Sequence, residues 1–202
     1  MDPIERMVMR TPELESCAEG VRLAHNALLA CFRKGNKLLL CGNGGSCADC
    51  EHIAGELVKS FYRDRPLDTE LAEKLAPDLA ANLHGSLPAI PLPSFTAFHT
   101  AFANDDHPEY AFAQQVLGLG KPGDVLLAIS TSGNSKNILH AAKTAHAMGM
   151  GVIGLTGESG GELAKLCDVA ICAPETDVAR IQEFHLPIYH ALCEMIEEAM
   201  FG

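Results

Sequence analysis

Basic residues are scarce in this chain: 15 Lys and Arg stand against 26 Asp and Glu, for a formal net charge of -11 at pH 7. No Lys/Arg cluster exceeds a pair. A surface of that sign repels polyanions, which argues against nucleic acid as a direct partner. Apolar runs of the roughly 20 residues needed to span a bilayer are missing, and Met1 to Arg10 mixes charges where a signal peptide would carry an apolar core. A cytoplasmic protein with no membrane partner is therefore expected. Two nucleotide signatures are missing as well. Gly42-Asn43-Gly44-Gly45-Ser46 does not complete G-x-G-x-x-G, and G-x-x-x-x-G-K-[ST] does not occur, so dinucleotide binding and nucleotide hydrolysis lose their main support. Cysteine is plentiful, with eight residues, but most lie inside apolar helix or strand patterns and read as reduced structural thiols. Cys47 and Cys50 form a C-x-x-C with no second pair to complete a tetrahedral metal site.

What is present predicts a single α/β domain. The 202 residues, 48% of them hydrophobic, suffice for a full core. Leu14, Cys17, Val21, Ala24, Leu28 and Cys31 keep a helical stripe over Thr11 to Arg33, with Thr11 as N-cap and Pro12 at the first helical position. Five short apolar runs follow: Lys37–Cys41, Ala89–Leu92, Val125–Ile129, Val152–Leu155 and Val169–Cys172. Their alternation with helical segments predicts a five-stranded parallel sheet with helices on both faces, doubly wound and flavodoxin-like. Prolines 88, 91 and 93 push the second strand to an edge. The last helix is predicted from about Asp177 to Met200, kinked or broken at Pro187. Thr69 to Leu83 has helical alternation with excess acid and reads as a short extra helix or a solvated insertion.

Two hydroxyl- and glycine-rich loops leave the carboxyl ends of strands. Ser130-Thr131-Ser132-Gly133-Asn134-Ser135 precedes a helix beginning near Lys136, and Gly42 to Ser46 precedes a helix over about Cys47 to Phe61. Loops of this kind offer hydroxyls, close backbone approach and free helix N-terminal N–H groups to a phosphate. Ser46 and Asp49 also fit an S-x-x-D capping box, which explains part of the second loop without a ligand. His52 and Glu56 share a helix face at i and i+4. Gln182 and His190 lie eight residues apart on the last helix and face a similar direction, whereas His185 points elsewhere and reads as a packed histidine. A carboxylate and an imidazole beside a phosphate cradle are what moving a proton along a phosphosugar requires.

Taken in order, Cys41-Gly-Asn-Gly-Gly-Ser46, His52-x-x-x-Glu56, Ala103-Asn-Asp105, Ser130 to Ser135, and Arg180-Ile-Gln-Glu-x-His185 followed by His190 resemble the sugar isomerase (SIS) domain family, and within it the bacterial phosphoheptose isomerases. The resemblance covers nearly the whole chain. It implies one SIS domain over residues 1–202, with an insertion at about 67–86. It further implies a homotetramer that isomerises sedoheptulose 7-phosphate to D-glycero-D-manno-heptose 7-phosphate for nucleotide-heptose synthesis. Residue by residue, Ser130, Thr131, Ser132 and Ser135 would hold the phosphate. Asn43, Gly44, Gly45, Ser46, Asn104, Asp105 and Gln182 would line the sugar. Glu56 and His190 would transfer the proton, and His52, Glu56, Gln182 and His190 match the ligands of one zinc ion per subunit. The alternative is a non-catalytic member of the same family, a sugar-phosphate sensor or a replication-initiator adaptor. Such a module needs no acid–base pair, and both members are present here.

Overall fold

The five apolar runs form five parallel strands in the computed structural model, which describes residues 1–202. They are β1 (Leu38–Gly42), β2 (Ala89–Pro91), β3 (Val125–Ser130), β4 (Gly151–Thr156) and β5 (Val169–Cys172), in spatial order β2-β1-β3-β4-β5. The helices are α1 (Pro3–Arg10), α2 (Ala18–Arg33), α3 (Gly45–Val58), α4 (Thr69–Lys74), α5 (Pro77–Asn82), α6 (Thr96–Asp105), α7 (Ala111–Leu119), α8 (Lys136–Ala147), α9 (Gly161–Ala164) and α10 (Val178–Phe201). None is long and apolar enough to cross a membrane.

Period-2 alternation divides the strand side chains between two cores. Leu38, Leu40, Leu127, Ile129 and Ile153 face the layer of α1, α2, α3 and α10. Leu39, Cys41, Leu126, Ala128 and Val152 face α7 and α8. The edge position of β2 follows from its prolines, because Pro91 cannot donate to a second neighbour. The strand order reverses between β1 and β3. A parallel sheet opens a crevice at that switch point, at the carboxyl ends of its strands, and both glycine- and serine-rich loops empty into it.

Four local expectations are corrected. The Thr11–Arg33 helix is two pieces: Pro12–Cys17 winds as a 3₁₀ helix, Thr11 makes no side-chain cap, and the α-helix starts only at Ala18. Ahead of it stands an unanticipated α1, capped by Asp2 with Pro3 in its first turn, which buries Ile4 and Met7. The Ser46/Asp49 capping box does not form, because α3 begins two residues earlier with Gly44 as its cap and Ser46 lies inside the first turn. Thr69 to Leu83 is two helices, separated where Pro77 starts a new first turn, and neither buries a residue. Pro187 does not break α10, which runs 24 residues.

His185 is 0% exposed, and its Nε2–H donates to the Thr156 carbonyl at 3.1 Å while Nδ1 has no partner. Burial pushes this imidazole down to about 4, so it is neutral in the fold, whereas in the unfolded chain it protonates near 6.5. Between those values the unfolded chain binds more protons, and stability falls as pH drops. Urea unfolding is expected to show a loss of about 2 kcal/mol from this group between pH 7 and pH 5, and a flatter pH slope in His185→Gln. Equal slopes would remove His185 as the cause.

Candidate active site

Three elements converge at the switch point on a cavity of about 250 Å³. The β1–α3 loop brings Asn43, Gly44, Gly45 and Ser46; the β3–α8 loop brings Ser130, Thr131 and Ser135; α10 brings Gln182. Two helix N-termini, those of α3 and α8, therefore open on one space, and both favour an anion there. In the β3–α8 loop the N–H groups of Ser132, Ser135 and Lys136 have no backbone acceptor, which leaves them free for a ligand. The Ser130 and Ser135 hydroxyls lie 3.2 Å apart, and paired amides of Asn43 and Asn137, at 3.0 and 2.8 Å, tie the two loops together. Glycine is required twice here. At Gly133, with φ of 64°, a Cβ would sit 2.1 Å from the Gly160 carbonyl oxygen; at Gly45 it would sit 2.4 Å from Gln182 Nε2, which packs across the loop.

Further along α10, about 12 Å from Gln182 at 1.5 Å per residue, a second group of side chains meets where α3 packs on α10. His52 Nε2 lies 3.2 Å from Glu56 Oε1 and 3.4 Å from His190 Nε2. Glu56 is 15% exposed at its side chain, its Oε2 is buried without a hydrogen bond, and Lys59 Nζ stands 3.8 Å away. Burial first, and then the neighbouring His52, push the His190 imidazole below its ordinary value. A neutral imidazole beside a carboxylate is a competent pair for moving a proton at neutral pH. The C-terminal turn of α3 is anchored by Arg65, whose Nη1 and Nη2 donate to the carbonyls of Leu57 and Glu56 at 2.6 and 2.8 Å. Arg65 Nε in turn donates to Glu197 Oε1 on α10 at 2.7 Å.

The donor set suits zinc in kind. Separations of 3.2 and 3.4 Å match neighbouring ligands on a tetrahedral ion with bonds of about 2.0–2.1 Å, and Glu56 Oε2 is an orphaned buried oxygen beside them. The side chains meet pairwise without surrounding a common centre. Gln182 stands apart from the other three, in the cradle.

Not every anticipated residue joins the site. The Ser132 hydroxyl is exposed and accepts the Asn134 N–H at 3.2 Å, outside the cavity lining. Asn104 and Asp105 are exposed at the end of α6, bonded to each other at 2.8 Å, and do not border the cavity. Conversely, Tyr189, Asp49, Arg65, Glu197 and Asn137 contribute contacts that spacing did not reveal. Arg65 and its partner Glu197 lie 132 residues apart, and no local spacing joins them.

Comparison with known proteins agrees with this architecture. The family model described as "SIS domain" matches residues 5–157. A phosphoheptose isomerase of Roseiflexus sp. (strain RS-1) is 40% identical over 202 residues, spanning 100% of this chain and 93% of that protein. One of Thiobacillus denitrificans is 44% identical over 187 residues, 91% of this chain and 83% of that protein. The solved structure of a phosphoheptose isomerase from Francisella tularensis superposes with a TM-score of 0.80 at 34% identity, covering 96% of this chain and 94% of that one.

Proposed function

The chain belongs to the SIS domain family, among its phosphoheptose isomerases, and from that premise and the site's geometry we propose how it works. It isomerises sedoheptulose 7-phosphate to D-glycero-D-manno-heptose 7-phosphate, an aldose–ketose interconversion through an enediol that supplies nucleotide-heptose synthesis. The observation that carries this reading is the pairing, along one helix, of an anion cradle at Gln182 with an imidazole–carboxylate pair at His190, two turns further on. A phosphate seated against Ser130, Thr131, Ser135 and the two helix N-termini directs the carbon chain toward Glu56 and His190. The rise of about 12 Å along α10 from Gln182 to His190 leaves room between the cradle and the proton-transfer pair for an extended sugar chain.

Glu56 takes the proton from the carbon next to the carbonyl and returns it to the neighbouring carbon. His190 gives a proton to the carbonyl oxygen as the enediol forms and takes one back as it collapses. His52 Nε2 lies against the Glu56 carboxylate at 3.2 Å. Asn43, Gly44, Gly45, Ser46 and Gln182 line the sugar, and Asn104 and Asp105 reach it from a neighbouring subunit. His52, Glu56 and His190 would hold zinc, joined by Gln182 only if its side chain leaves the cradle, and the chemistry supplied would be Lewis-acid polarisation of the sugar oxygens. The assembly is a homotetramer. Support comes from α6, which carries Phe98 and Phe102 yet buries none of its residues within one chain. Residues 1–202 make one SIS domain, and the insertion at 67–86 packs its two short helices onto neither core. A cytoplasmic location fits the eight free cysteines.

In deuterated water the protein is expected to exchange the proton next to the carbonyl of sedoheptulose 7-phosphate and to release the aldose phosphate. Unphosphorylated sedoheptulose should react at least about 100-fold less efficiently, because each lost charge-assisted hydrogen bond costs roughly 1.5–3 kcal/mol. Exchange with shorter ketose phosphates in preference to the heptulose phosphate would overturn the substrate assignment. A non-catalytic family member would exchange none of them.

A further inference from the structure

Tyr189 immediately precedes His190 on α10, yet it points the other way around the helix and is 2% exposed. Its hydroxyl lies 2.9 Å from His52 Nδ1. The His52 ring is thereby held between two α10 side chains, edge-on to Tyr189 and to His190 with centroids 5.4 and 4.9 Å apart. On the far side of the hydroxyl stands Asp49, one turn before His52 on α3 and adjacent to Tyr189. Its Oδ2 is buried and has no hydrogen-bond partner.

One phenolic proton serves two acceptors here, and its direction sets the imidazole tautomer. Given to His52 Nδ1, it would leave the Asp49 carboxylate buried against a bare phenolic oxygen, two acceptors facing each other. Given to Asp49, it satisfies that carboxylate and leaves the phenolic oxygen free to accept the Nδ1–H of His52. Nε2 is then a bare lone pair, 3.2 Å from Glu56 Oε1 and 3.4 Å from His190 Nε2. In the metal-free protein the His190 Nε2–H can donate to that lone pair, and a bound cation would take the lone pair instead.

We infer that Tyr189 is the positioning residue of the site: backed by Asp49, its hydroxyl accepts the Nδ1–H of His52 and presents Nε2 unprotonated toward Glu56 and His190. The inference rests on the isomerase reading for the role of that cluster, but its primary readout does not depend on catalysis. Long-range proton–nitrogen spectra of the metal-free protein are expected to show His52 as a single Nδ1–H tautomer. Tyr189→Phe keeps the ring and removes the oxygen, so the spectrum should shift to mixed tautomers. Zinc affinity, measured by competition with a chromophoric chelator, should fall about 10- to 100-fold, and kcat should fall with little change in KM.

Asp49→Asn is the control for mere packing. Its amide donates to the phenolic oxygen, redirects the phenolic proton to Nδ1, and should flip His52 to the Nε2–H tautomer in a protein that still folds. Wild-type His52 protonated on Nε2, or a Tyr189→Phe protein with unaltered tautomer and zinc affinity, would overturn the inference. Absence of isomerase activity in a wild type that shows the Nδ1–H tautomer would instead count against the catalytic reading alone.

Discussion

Replacing Glu56 by glutamine is expected to lower kcat for sedoheptulose 7-phosphate by about 10²- to 10⁴-fold, the usual contribution of a positioned acid or base. The amide is close in size to the carboxylate and still bonds to His52, but it cannot take a proton from carbon. KM should change little, because the phosphate is held by the β3–α8 loop and the two helix N-termini, which the substitution does not touch. Steady-state kinetics together with calorimetric titration of the sugar phosphate separate the two effects. Retained turnover would remove Glu56 as the base. Lost binding with unchanged turnover of what does bind would place Glu56 in substrate recognition.

The largest expected effect on stability lies beside the site. Arg65 and Glu197 are both 0% exposed, and their ion pair joins the loop after α3 to the last turns of α10. Glu197 also accepts the N–H groups of Phe61, Tyr62 and Arg63 at 2.8, 2.8 and 3.1 Å. Burial alone would raise the Glu197 carboxyl, but the Phe61 and Tyr62 amides and the Arg65 guanidinium bring it below its ordinary value. Arg65→Met leaves a buried carboxylate without its cation and is expected to cost about 3–5 kcal/mol, or about 6–20 °C in Tm for a chain of this size.

The double variant Arg65→Met with Glu197→Leu should recover part of that loss, since no charge is then stranded. Recovery is incomplete because three backbone N–H groups lose their acceptor. Activity should fall in both variants. The Glu56 carbonyl loses its Arg65 donor and the Leu57 carbonyl keeps only the Leu87 N–H, so the turn that aims Glu56 at His190 loosens. Denaturant unfolding of the single and double variants checks this, and a loss below about 1 kcal/mol in Arg65→Met would mean that the pair adds nothing net.

The strands and the two loops were readable because they depend on short-range pattern. An apolar run bounded by helix signals has one comfortable place in a parallel sheet, and the prolines around Ala89–Pro91 exclude its interior. At the α3 cap a local pattern misleads: Ser46 and Asp49 have the spacing of a capping box, but Gly44, with φ of 55°, turns the chain two residues earlier and puts Ser46 inside the helix. Thr11 and Pro12 misled in the same way. They mark a helical start, and the chain obeys with a 3₁₀ turn before the α-helix begins.

The candidate site divides along the same line. His52 with Glu56, and Gln182 with His190, were legible as same-face pairs within one helix, because helical periodicity is a property of sequence alone. That α3 packs on α10 so that His52 meets His190 is a property of the packed layers. So are the seating of Gln182 on Gly45 in the cradle and the turning of Ser132 toward Asn134 instead of the cavity. By itself the sequence determined the strands, the phosphate loops and the pairing of acid and imidazole residues, all set by contacts within a few residues of one another. Only the tertiary structure decided the strand order that opens the crevice, the Arg65–Glu197 anchor and the placement of Tyr189 behind His52. Each of these depends on packing together segments far apart in sequence, 132 residues for Arg65–Glu197 and 137 for Tyr189–His52, and no local pattern encodes that.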